Sequence, residues 1–382
     1  MGLPNEVRPK ILILTLPHGA SHQRVAQALR KALLTLQPQA TVEVVDALSR
    51  CARWFQAYYN SYLIPLRYWP GLWERIERVQ HQSKSTGPAW IYRRGARPLF
   101  RFIQRFDPDA VVATEVGLCE LAALLKREQG RPFLLAGVEL MDFNQAWVQP
   151  EVDLYLTTHA DLAEELAAAG APPAKIMTSG QPIDPGFACL PEHAATRERL
   201  GLARSTPVLL VLFGGGGFGN PARILEAVRQ VEQPLQVVIV AGKNPRLEDQ
   251  ARKLAQGTPG ISVLGWVDNM QEWMVAADLL ITKPGGSTLM EAFASGLPVL
   301  VMDPLPGNEQ RTCQWIERWK AGRWVQRVED LAPLLCQLLS NREALSEMRE
   351  RAKAVARPQA ARDAAQAILR LLEAEPNLLK VQ

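Results

Sequence analysis

A chain of 382 residues is longer than one hydrophobic core usually serves, so two domains are expected. The 47% hydrophobic content supports ordinary globular folding, and no stretch reaches the roughly 20 uninterrupted apolar residues of a bilayer span. The formal charge of +4 is mild but unevenly placed, and five scattered cysteines (Cys51, Cys119, Cys189, Cys313, Cys336) lack the paired spacing of a zinc site or a disulfide framework.

The opening "MGLPNEVRPKILILTLPHG" has too short an apolar run for a signal peptide and no small-residue cleavage site. It reads as a first strand, and the chain is expected in the cytosol. Apolar runs of strand length then alternate with helical patterns. The first-half strands are "KILILTL", "TVEVVDA", "DAVVAT", "RPFLLAGV" and "DLYLTT", with helices such as "SHQRVAQALRKALLTL" and "ADLAEELAAAG". In the second half "TPVLLVLFG", "LQVVIVAG", "GISVLG", "DLLIT" and "LPVLVM" repeat the scheme. The alternation predicts an α/β fold of two Rossmann-like domains with parallel sheets. "SGQPIDPGFACLPEH", residues 179–193, is the expected hinge. The expected domains are 1–182 and 183–357, with an amphipathic helix in 358–382. Ligands of open α/β sheets bind beyond the carboxyl ends of the strands, so two facing domains would place the working cleft between them.

Between Cys51 and Phe106 stand ten Lys or Arg residues against Glu74 and Glu77, with five of the six tyrosines and half of all aromatics. Aromatics beside cations suit an anionic membrane surface. Nucleic acid or a packed helical pair would also explain them, but no nucleic-acid motif accompanies the stretch, so membrane docking leads. Tyr62, Trp69, Trp73, Arg93 and Arg94 are the candidates for membrane or acceptor contact.

Two strand-glycine-helix turns follow in the second half. "LFGGGGFGNPARILEAV" satisfies G-x-G-x-x-G through Gly214, Gly216 and Gly219, yet the next strand ends in Ala241, Gly242 and Lys243 where a dinucleotide site wants an acid. "ITKPGGSTLMEAFASGLPVLV" starts a helix after Gly285 and Gly286, exposing unpaired amides at its positive end. Two such ends in one domain fit a diphosphate, although a tight turn alone is the plainer reading of either. Trp266, after "ISVLG", suits stacking on a nucleobase or capping the core. Glu291 suits a ribose or an exposed helix face. Asn308, Glu309 and Gln310 suit sugar hydroxyls or a solvated helix start.

"VDNMQEWMVAADLLITKPGGSTLMEAFASGLPVLVMDPLPGNEQ" resembles the donor half of the monogalactosyldiacylglycerol synthases and processive diacylglycerol glucosyltransferases of glycosyltransferase family 28. "GVELMDFNQAWVQPEVDLYLTTHADLAEELAAAGAPPAKIMTSGQPIDPGF" is similar to the same enzymes. The resemblance implies a GT-B fold, a UDP-sugar donor, inversion at the anomeric carbon and a diacylglycerol-type acceptor. It implies that Gly214, Gly215, Gly216, Gly217, Gly285, Gly286, Ser287 and Thr288 hold the diphosphate, with Lys283 among the donor-binding residues. Glu291 would hold the ribose, Trp266 and Val267 would flank the uracil, and Asn308 and Glu309 would face the sugar.

Inverting transfer needs a base for the acceptor hydroxyl and neutralisation of departing UDP. His22, after the first strand, is the candidate base, with His18 as its rival. Asp142 would orient the histidine or act as base itself. Relatives carry a glycine triplet where this chain has Gly19, Ala20 and Ser21, and Gln where it has Asn308. "DPD" at Asp107–Asp109 matches a D-x-D metal string but precedes a strand, so it reads as turn chemistry, and no metal or other cofactor is expected. The expected activity is a peripheral UDP-hexose:lipid transferase on the cytoplasmic face of the membrane. Beside it stand a UDP-sugar epimerase and a non-catalytic lipid-binding protein.

Overall fold

The structure is a computed structural model that describes residues 8–17, 20–130, 132–138, 141–213, 220–305 and 307–375. His18, Gly19 and the glycines Gly214, Gly215, Gly216 and Gly217 lie outside the described residues. The chain divides into two compact units, Met1–Pro185 with Gln359–Gln382, and Gly186–Pro358.

The first unit opens with β1 (Lys10–Thr15), α1 (Ala20–Leu36) and β2 (Thr41–Asp46). Five short helices follow: α2 (Arg53–Asn60), α3 (Leu63–Tyr68), α4 (Pro70–His81), α5 (Ala89–Gly95) and α6 (Arg97–Phe106). Then come β3 (Ala110–Ala113), α7 (Val116–Gln129), β4 (Leu134–Val138), β5 (Leu154–Thr157), α8 (Ala160–Ala168) and β6 (Ile176–Thr178).

The second unit holds α9 (His193–Arg199), β7 (Val208–Leu212), α10 (Pro221–Arg229), β8 (Gln236–Val240), α11 (Pro245–Ala255) and β9 (Ile261–Leu264). It continues with α12 (Met270–Ala276), β10 (Leu279–Thr282), α13 (Gly286–Ala294), β11 (Val299–Val301), α14 (Asn308–Trp319) and β12 (Gly322–Trp324). Helices α15 (Leu331–Ser340) and α16 (Arg342–Val355) complete it, and α17 (Ala360–Ala374) returns to the first unit.

Each unit is built on one six-stranded parallel sheet, in the order β2-β1-β3-β4-β5-β6 and β12-β11-β10-β7-β8-β9. Covered on both faces, the central strands are apolar throughout rather than alternating. Successive side chains of β1 therefore serve two cores: Leu12 and Leu14 join α6 and α7 on one face, Ile11 and Ile13 join α1 and α17 on the other. Ala361, Ala364 and Ala365 bring α17 close to that face, all fully or nearly fully buried.

The strand order reverses between β1 and β3 in the first sheet and between β7 and β10 in the second. Such reversals open a crevice at the carboxyl ends of the strands concerned. Opposite ends are closed by structural hydrogen bonds. Asp109 of the "DPD" turn is buried and accepts the Lys10 amide at 2.8 Å. Buried Arg197 grips the Ala276 carbonyl (2.8 Å) and the Asp278 carboxylate, which itself accepts the Val208 amide at 2.7 Å.

Candidate active site

His22 stands in the first turn of α1, where the chain leaves β1. Its Nδ1 lies 2.6 Å from the carbonyl oxygen of Thr114, the residue that leaves β3. A carbonyl only accepts, so Nδ1 carries the proton and Nε2 holds the lone pair. Desolvation by burial is the largest influence on the ring and lowers its pKa below the ordinary 6.5; the Glu115 charge and the Thr114 carbonyl pull the other way. A neutral imidazole with a basic Nε2 at the β1/β3 reversal is the arrangement a general base requires.

Glu115 is absent from the sequence-based set of site residues. It caps the N-terminus of α7, accepting the Leu118 amide at 3.0 Å and the Tyr59 hydroxyl at 2.6 Å. Only the hydrophobic-to-acidic step in "VVATEVG" marks it, and nothing in that string announces a hydrogen-bond partner 56 residues away.

Asp142 follows β4, and its partner is His81, with Nε2 3.1 Å from Oδ2. The carboxylate, largely buried, ties the end of α4 to the segment after β4. The His22 ring is held by the Thr114 carbonyl.

In the second unit Gly285 is the N-cap of α13 and offers no side-chain cap. The first backbone bond back is Leu289 N to Gly285 O at 3.1 Å. The amides of Gly286, Ser287 and Thr288 are thus left without an intrahelical acceptor. A Cβ built on Gly285 meets nothing within 4 Å, so the approach to these amides is open. Ser287 is buried. Glu291 is only 5% exposed, which removes the exposed-helix reading.

A small hollow lies at the β7/β10 reversal, lined by Phe213, Asn220, Thr282, Lys283, Met302 and Asp303 among others. Asp303 has a left-handed backbone (φ 51°), and Gly307, at φ 92° and ψ −118°, occupies a region that other residues avoid. This backbone turns Glu309 back, so that Oε2 accepts the Leu305 amide at 2.6 Å and lies 4.0 Å from Lys283 Nζ. Lys283 and Glu309 are thus brought together, with Asn308 beginning the same helix.

Trp266, beyond β9, is 47% exposed, so it does not cap the core. Its indole N–H donates to Asp268 at 2.8 Å, and Lys243 Nζ lies 4.4 Å from the ring centroid. Val267 beside it is half-buried.

The aromatic stretch is divided by burial. Trp73 is 8% exposed and packs against Tyr62, ring centroids 5.4 Å apart, so these two hold the helical layer together and Trp73 is corrected from a surface contact to a core residue. The exposed aromatics of the stretch are Trp54, Tyr58, Tyr68, Trp69 and Trp90, joined by Ile64, Leu72 and Val79. Arg93 and Arg94 are exposed, Arg93 paired with Glu128. Among the described residues no helix is long and apolar enough to cross a membrane, and no group of His, Cys, Asp or Glu could hold a metal ion.

Residues 22–183 match the monogalactosyldiacylglycerol (MGDG) synthase family and residues 209–368 match the glycosyltransferase family 28 C-terminal domain. The chain is 27% identical to a processive diacylglycerol beta-glucosyltransferase of Bacillus mycoides, over 98% of this chain and 97% of that protein. It is 26% identical to the protein of the same name from Bacillus pumilus, over 91% of each. In fold it is similar to the MurG of Acinetobacter baumannii, with a TM-score of 0.64 at 16% identity, over 95% of this chain and 99% of the other. That likeness gives both units together the GT-B fold.

Proposed function

Given that the chain belongs to glycosyltransferase family 28, with an MGDG-synthase first half, we propose that it moves a hexose from a UDP-sugar to the hydroxyl of a diacylglycerol-type lipid, with inversion. Both matched families are transferases, and the epimerase alternative is not carried forward.

The acceptor hydroxyl gives its proton to His22 Nε2 as its oxygen forms the bond to the anomeric carbon. The bond from that carbon to the β-phosphate oxygen breaks, and its electron pair leaves with UDP. The amides of Gly286, Ser287 and Thr288, at the positive end of α13, receive the growing phosphate charge. Lys283 adds a cation beside them, and no metal is needed for the step as drawn. Glu291 takes the ribose, Trp266 and Val267 flank the base, and Asn308 with Glu309 faces the sugar. Trp54, Trp69 and Trp90, with Arg94, rest on the membrane that carries the acceptor.

The observation that carries this reading is the His22–Thr114 hydrogen bond, because it leaves the basic nitrogen unprotonated at the reversal point of the first sheet. The test is UDP release from a UDP-hexose with and without diacylglycerol in vesicles; release that ignores the lipid refutes it.

A further inference from the structure

The base of the proposed reaction acquires a positive charge when it takes the acceptor proton, in surroundings that burial already makes hostile to charge. The Coulombic influence that favours the charged ring comes from Glu115. Its carboxylate is not loosely placed. It follows directly on Thr114, which holds the imidazole, so one short segment after β3 addresses both the ring nitrogen and its charge. Both of its hydrogen bonds, from Tyr59 and from the Leu118 amide, fall on Oε2.

Gly117 supports the same arrangement. A Cβ there would stand 2.2 Å from the Tyr59 hydroxyl oxygen, so a side chain at 117 would drive the phenol from the carboxylate. Glycine at this place in the first turn of α7 admits the Tyr59–Glu115 bond.

We propose that Glu115, held by Tyr59, is a positioning residue that stabilises the imidazolium of His22 during transfer. This rests on the reading of His22 as the base. The titratable groups facing Glu115 are His22 of α1, Tyr59 of α2, Tyr62 at the start of α3, Tyr92 of α5 and Cys119 of α7. Burial pushes the three phenols and the thiol upward, away from neutrality. Of this group only His22 changes charge in the proposed step. The proton moves from the acceptor oxygen to Nε2; Glu115 takes no proton and forms no bond to substrate.

The experiment follows the His22 ring by NMR through a pH titration of the full chain, its resonance assigned by loss in His22→Gln. The same preparations are assayed for UDP release. Glu115→Gln keeps an oxygen for the Leu118 amide and removes the charge. Its His22 is expected to titrate about one pH unit lower, with kcat reduced roughly tenfold and donor KM unchanged. A His22 titration that coincides with the parent overturns the proposal. Should Glu115→Gln fail to fold, Tyr59→Phe must move His22 in the same downward direction, and an unmoved ring overturns it equally. A shifted ring in a protein that releases no UDP from any hexose donor would leave Glu115 in this role and sink the transferase reading alone.

Discussion

Lys283 Nζ and Glu309 Oε2 face one another at 4.0 Å, joining the loop after β10 to the first turn of α14. The two residues lie 26 positions apart and meet because Gly307 adopts a backbone closed to other residues. Removal of Glu309 would leave Lys283 and the Leu305 amide without this acceptor. Glu309→Ala is expected to raise the donor KM roughly tenfold or more. Titration of UDP-hexose at saturating lipid reads the effect, and an unchanged KM takes Glu309 out of the donor site.

Glu291 occupies a buried position one turn inside α13. Glu291→Gln is expected to weaken donor binding while the affinity for lipid vesicles stays the same. Calorimetric titration with UDP decides it, because the ribose is present in UDP while the sugar is not. Equal affinity in the parent and the variant would assign Glu291 to the fold alone.

His22→Ala is expected to lower kcat by ~10²-fold or more. The base works unprotonated, and burial lowers its pKa from 6.5. The rate should therefore hold steady above 6.5 and fall as the pH drops through the lowered value. A rate profile with its acid limb above 6.5, or one retained in His22→Ala, would point to another base.

Trp73 and Trp69 stand four residues apart and differ sevenfold in exposure, 8% against 59%. Trp73→Ala is expected to destabilise the protein by about 3 kcal/mol or more, read as a fall in Tm. Trp69→Ala and Trp90→Ala should leave stability within about 0.5 kcal/mol of the parent and weaken binding to anionic vesicles. If the exposed pair binds vesicles as before, the helical layer is not the docking surface.

Ten of the twelve strands among the described residues are legible, the central ones because a parallel strand buried on both faces must be apolar along its length, and edge strand β2 by its alternating apolar residues. The two that escape, β6 and β12, are three-residue edge strands: Ile176–Thr178 is partly exposed and Gly322–Trp324 includes Arg323. Neither is long enough to carry a period. The turn before α13 is legible for a different reason, since glycines placed between a strand and a helix mark a required backbone. Contacts between distant segments left no local trace. Thr114 acts through its carbonyl, which every residue possesses, and His81 finds Asp142 across 61 positions. The aromatic run likewise has one composition throughout, and only packing separates Trp73 from Trp69.

The most direct measurement is UDP release from UDP-glucose and UDP-galactose, each with and without diacylglycerol in anionic vesicles. Release from one of the two donors that requires the lipid, and that disappears in His22→Ala, is the predicted result. Release that proceeds equally without lipid, or no release from either donor by a protein that binds the vesicles, would contradict it.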